Sequence, residues 1–222
     1  SILYSFDREI WENYTKPIVI SKDGLFTVYF RAVDKAGNIE DIKSETIKVD
    51  KTPPTTIAEY DGKWHNADFL INLTAIDNLS GVREIYYRIN GGPIMSISEH
   101  GQPKITTEGS NNTLEYWSVD KAGNEEYPHK ILTGIKLDKT APMGSIVINN
   151  NAVYTNSTLV TLTLIATDQI SGVAQMRFSN DNISWSDWEP YTTSKFWTLQ
   201  DGDGIKTVYV QFRDQAGLIS QS

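Results

Sequence analysis

The phrase Asp-Lys-Ala-Gly-Asn stands at Asp34 to Asn38 and again at Asp120 to Asn124, and a looser copy, Asp214-Gln215-Ala216-Gly217-Leu218, follows at a similar interval. Other phrases keep step with it. Val49-Asp50-Lys51-Thr52-Pro53-Pro54 returns as Leu137-Asp138-Lys139-Thr140-Ala141-Pro142. Ala75-Ile76-Asp77-Asn78-Leu79-Ser80-Gly81-Val82 returns as Ala166-Thr167-Asp168-Gln169-Ile170-Ser171-Gly172-Val173. A period of roughly 90 residues is too long for a solenoid repeat and suits a whole small β-sandwich. The 222 residues therefore divide into small domains, each closing its own core.

Inside one period the apolar residues alternate. Phe69, Ile71, Leu73 and Ala75 predict a half-buried strand, Ile85, Tyr87 and Ile89 a second, and Leu114, Tyr116 and Ser118 a third, with a last strand over 130–137. No segment sustains a helical period, so the expected class is all-β, as tandem Ig-like (fibronectin-III-like) β-sandwich domains. The boundaries fall at 1–50, 51–138 and 139–222. The first domain matches its neighbours only from the third strand onward, and the last stops before its final strand, so both read as truncated. Two explanations stand: a stretch cut from a longer tandem array, and subunits that complete one another by strand exchange.

The net charge of −8 and the absence of a Lys/Arg cluster argue against nucleic acid as a partner. No apolar run approaches the ~18 residues of a membrane span. With no cysteine, stability cannot come from disulfides, which disfavours the bridged Ig domains of eukaryotic secreted proteins. Asn-x-Ser/Thr sequons begin at Asn13, Asn72, Asn78, Asn111, Asn156 and Asn182, the acceptor pattern of an N-glycosylated surface protein. Asn, Ser and Thr are also the ordinary polar residues of β-loops.

Tyr4-Ser5-Phe6-Asp7 with Trp11, Tyr14 and Asp34 to Asn38, and Phe178-Ser179-Asn180-Asp181 with Trp185, Trp188 and Asp214 to Gly217, resemble the running text of bacterial and archaeal Ig-like surface repeats, including the type named after a leptospiral outer-surface protein. The middle repeat keeps Glu115 to Asn124 and lacks the tryptophan. The resemblance implies an extracellular, cell-surface setting and neighbouring Ig-like domains of the same longer chain as partners. Such modules serve adhesins, S-layer proteins and secreted glycosidases alike.

Counted from the end of the third-strand motif, the paired positions read Trp11 and Tyr14, Ile94 and Ile97, Trp185 and Trp188. A site that accepts isoleucine asks for apolar volume, so a core role is expected. Tyr86 and Trp117, outward by alternation on neighbouring strands, form the candidate ligand patch, for a glycan or matrix protein. The aspartates carry a metal hypothesis. In an Ig-like sandwich the loops after the second and sixth strands share one end with the incoming linker, which gathers Asp50, Asp77 and Asp120, and likewise Asp138, Asp168 and Asp214. Three carboxylates with loop carbonyls fit the about six to eight oxygens that calcium takes. Plain turn chemistry accounts for the same aspartates. His65, His100 and His129 have no counterparts in the other repeats, and no nucleophile elbow, zinc helix or phosphate loop is present, so no catalytic residue is expected. Asp201-Gly202-Asp203-Gly204 reads as a hairpin turn. The functional expectation is a non-enzymatic stalk, adhesin segment or S-layer-type array; an accessory module of a secreted carbohydrate-active enzyme and a self-assembling subunit remain as alternatives.

Overall fold

A computed structural model describes residues 1–222, and no strand of one repeat pairs with a strand of another. The first unit comprises β1 (Ile2–Ser5), β2 (Glu12–Asn13), β3 (Gly24–Ala32) and β4 (Lys43–Val49), one antiparallel sheet in the order β2-β1-β3-β4. Pairing of Tyr4 with Phe30 and of Phe26 with Ile47 places Tyr4, Phe26, Val28 and Phe30 on a single face. No second sheet covers that face. Ser5 is the only buried residue of the unit, and Ile2, Leu25 and Ile47 are more than half exposed.

The second unit comprises β5 (Thr55–Glu59), β6 (Trp64–His65), β7 (Phe69–Leu70), β8 (Asn72–Ile76), β9 (Val82–Ile89), β10 (Met95–Ser96), β11 (Lys104–Ile105), β12 (Gly109–Asp120) and β13 (Lys130–Leu137). A five-stranded sheet, β10-β9-β12-β13-β6, packs over the pairs β5-β8 and β11-β7. The period-two residues point inward as the sequence predicts. Ile71, Leu73, Tyr87, Ile105, Leu114, Ile135 and Leu137 form one buried cluster, each side chain worth about 1.5–3 kcal/mol over an exposed position. A single helical turn, α1 (Ile97–His100), follows β10 and is too short to register as a period in the sequence.

The third unit comprises β14 (Met143–Ile148), β15 (Leu159–Thr167), β16 (Val173–Ser179), β17 (Glu189–Pro190), β18 (Ser194–Thr198) and β19 (Tyr209–Asp214). Sheets β14-β15-β18 and β17-β16-β19 enclose Val160, Leu162, Leu164, Met176, Phe178, Leu199, Val208, Val210 and Phe212. The second and third units are Ig-like, fibronectin-III-like β-sandwiches. One expectation changes here. Asp201 to Gly204 lies between β18 and β19, which belong to different sheets, so it is a crossover and not the turn of a hairpin, which joins neighbouring strands of one sheet.

Candidate metal centres at the domain joints

After β3, β12 and β19 the chain makes the same turn three times. The amides of Asp34, Asp120 and Asp214 each donate to the carbonyl of the residue four positions on, at 3.1 Å. In return the Oδ1 of each aspartate accepts that residue's amide, from Asn38 at 2.9 Å, Asn124 at 2.8 Å and Leu218 at 2.9 Å. Gly37, Gly123 and Gly217 sit at φ 92°, 97° and 89°, where a side chain would be strained. The repeated Asp-x-Ala-Gly phrase is therefore the local requirement of this turn.

A second aspartate organises the loop that precedes β9 or β16. Asp77 Oδ1 accepts the amides of Leu79 and Gly81, and Asp168 Oδ1 those of Ile170, Ser171 and Gly172. The linker aspartate then reaches the same loop. Asp50 accepts the amide of Ser80 at 2.8 Å, and Asp138 that of Ser171 at 3.1 Å. Two triads result. One carboxylate oxygen from each of Asp50, Asp77 and Asp120 lies within 4.8 Å of the others, and the same holds for Asp138, Asp168 and Asp214. Asp120, Asp138 and Asp214 are buried, whereas Asp50, Asp77 and Asp168 are half-buried. None of the six carboxylates is in a salt bridge.

The two poles differ in their donors. At the first, the Asn124 side-chain amide donates both to Asp120 Oδ2 at 2.7 Å and to the Asp50 carbonyl at 3.0 Å. Lys121 extends along the loop, its Nζ 3.4 Å from where a Cβ on Gly81 would stand. Ser80 Oγ accepts the Ala122 amide. At the second pole Leu218 replaces the asparagine and neutral Gln215 replaces the lysine. There Asp214 Oδ2 and Ser171 Oγ are both buried without any hydrogen-bond partner. The electrostatics follow. Hydrogen bonds from Ser80 hold Asp50 below the ordinary carboxylate range, while burial, with the charges of Asp138 and Asp168 adding to it, pushes Asp214 above it.

The aromatic expectations are corrected. Trp117 is only 6% exposed, so it does not form an open ligand patch with Tyr86. Tyr86 stacks on it across the strands at 5.8 Å, and the His129 ring lies parallel above it at 3.9 Å, clamped between Glu115 and Glu125. Nor do Trp11, Tyr14, Trp185 and Trp188 enter a core. The Arg31 guanidinium covers Trp11 at 3.9 Å; Arg177 lies 4.9 Å from Trp185 and 4.6 Å from Trp188, and Arg213 sits 4.4 Å from Trp188. These rings line outer sheet faces as cation–π stacks.

His65 stacks on Phe69 at 3.7 Å and meets Asp61, and His100 ends α1 near Glu99. All six sequon asparagines, Asn13, Asn72, Asn78, Asn111, Asn156 and Asn182, are exposed. An open cleft of about 700 Å³ lies between residues 148–158 and 199–206 of the third unit, with Asp203 its only carboxylate. A smaller one of about 330 Å³ borders the first triad at Asp50 and Asp77. Sequence reasoning missed Lys121 and Asn124 as determinants of the pole; the signal was their replacement in the third copy of the phrase.

No protein-family model matches the chain, and no curated protein does. Among solved structures the chain is similar to fibronectin(III)-like modules of CbhA from Clostridium thermocellum, with 15% sequence identity and a TM-score of 0.41, over 75% of this chain and 90% of that one.

Proposed function

We propose that the chain is a non-enzymatic, extracellular structural segment of a surface protein, in which short linkers hold Ig-like sandwiches in a stiff row. The observation that carries this reading is that each linker is bonded in both directions. Backward, the Lys51 amide and Thr52 hydroxyl donate to Asp23 at 2.9 and 2.5 Å, and Lys51 Nζ donates to the Ser21 carbonyl at 2.8 Å. At the next joint the Lys139 amide and Thr140 hydroxyl donate to Glu108, and Lys139 Nζ bonds Asp68 and the Thr106 carbonyl. Forward, Asp50 and Asp138 bind the loops of the following units. Proline at positions 53, 54 and 142 removes backbone freedom as well.

The resemblance to bacterial and archaeal Ig-like surface repeats and the exposed sequon asparagines support a surface location and glycosylation. Small-angle scattering tests the mechanical part. The chain should scatter as one narrow extended population, and Glu108→Ala combined with Lys139→Ala should broaden it. A wild-type chain already as flexible as the variant would defeat the reading. A second reading, assembly of like subunits by strand exchange, is favoured by the uncovered face of Tyr4, Phe26, Val28 and Phe30. Sedimentation distinguishes it: exchange requires a mass above that of one chain, lost when residues 1–49 are removed.

A further inference from the structure

We propose that Asp138, Asp168 and Asp214 bind one calcium ion at the joint between the second and third units, and that the Asn124 amide, with the Lys121 charge on the same loop, takes the ion's place at the other joint. The two poles share their backbone. Linker aspartate, loop aspartate and turn aspartate recur in the same positions, the linker and turn aspartates accept equivalent amides, and in both triads the carboxylate oxygens lie within 4.8 Å of one another. What separates them is positive charge and donors. At the first pole the Asn124 amide bridges the turn carboxylate to the linker backbone, and the Lys121 ammonium lies along the loop. At the second pole Leu218 has nothing to donate and Gln215 has no charge.

Asp214 is 3% exposed and its Oδ2 meets no donor, and the hydroxyl of Ser171, whose amide bonds Asp138 and Asp168, is likewise buried and unpartnered. An unpaired buried carboxylate oxygen among two further carboxylates is costly. A cation removes that cost. The donor set on hand, three carboxylates and the Ser171 hydroxyl, contains oxygen alone, which selects calcium over zinc or a soft metal, and over magnesium, which asks for a tighter octahedron. Half-buried Asp168 opens the pole to solvent and gives the ion a route in. Asp138 belongs to the linker, so the ion would tie the joint itself.

The test uses the whole chain, stripped with EDTA and titrated with calcium or magnesium chloride in a calorimeter, with melting followed in parallel. One calcium per chain is expected, with a Kd between about 10⁻⁵ and 10⁻³ M. Saturating calcium should raise the third unit's melting temperature by roughly 4–8 °C. Asp214→Asn should abolish the binding heat. Because that variant can also disturb the turn, Gln215→Lys with Leu218→Asn provides a second reading: it rebuilds the first pole's donors at the second and should remove the calcium response while leaving the calcium-free protein at least as stable. No calcium heat at millimolar concentration, two calcium ions per chain, equal affinity for magnesium, or a calcium response that survives Gln215→Lys/Leu218→Asn would each overturn the proposal.

Discussion

Gly144 and Thr56 occupy the same place in successive repeats, and their neighbours show how one residue sets another. In the second unit Thr56 is fully buried and its hydroxyl donates to Ser118 Oγ at 2.7 Å. In the third, Phe212 stands where Ser118 did, and a Cβ on Gly144 would come within 2.4 Å of its ring and 2.6 Å of the Ile165 carbonyl. The glycine is there to make room for the ring. Gly144→Ala should therefore destabilise the third unit by about 1–3 kcal/mol, read as a lower denaturation midpoint with an unchanged slope. Thr56→Val should cost the second unit about 1–3 kcal/mol by stranding the buried Ser118 hydroxyl. Neither pairing is legible in the sequence, where glycine, threonine, serine and phenylalanine at aligned positions look like unrelated drift.

At the scale of the strand, alternation reports which residues face inward and nothing about what covers the outer face. The outward residues of β16 and β19 pair as Gln175 with Arg213 and Arg177 with Gln211. Trp185 and Trp188 come from the loop after β16, where no alternation operates, and lie over those arginines. Of the isoleucines at the aligned positions, Ile97 packs against the core as expected, whereas Ile94 is exposed. On β12 the outward Trp117 is covered by His129. Burial alone would weaken proton binding to that ring, but the carboxylates of Glu125 and Glu115 outweigh it and raise its pKa above the ordinary value. The protonated ring thus adds stability that is fully present below the unfolded value of about 6.5 and is lost as pH rises through the higher folded value. Melting temperature should fall across that window in the wild type and stay flat in His129→Asn; a parallel fall in both would remove the histidine from the account.

Across the whole molecule, stability resides in two closed sandwiches. Both buried clusters lie beyond the first linker, and the first sheet contributes no core residue. A fragment of residues 50–222 should melt within about 2 °C of the full chain and bind less of a hydrophobic dye. A drop much larger than that would mean that Asp23, through Lys51 and Thr52, stabilises the second unit across the joint.

The number of repeats, the all-β class, the inward residues Ile71, Leu73, Tyr87 and Leu114, and the meeting of three aspartates at each pole were all legible in the sequence. Each follows from a local rule, period two along a strand or the demands of a tight turn, and repetition prints that rule three times. Only the tertiary structure decided which pole leaves a carboxylate unpaired, which face the tryptophans take, and why position 144 is glycine. Those outcomes depend on atoms far apart in the chain, such as Asn124 against Asp50, Arg213 against Trp188 and Phe212 against Gly144, that come within reach only once two sheets and a linker are in place.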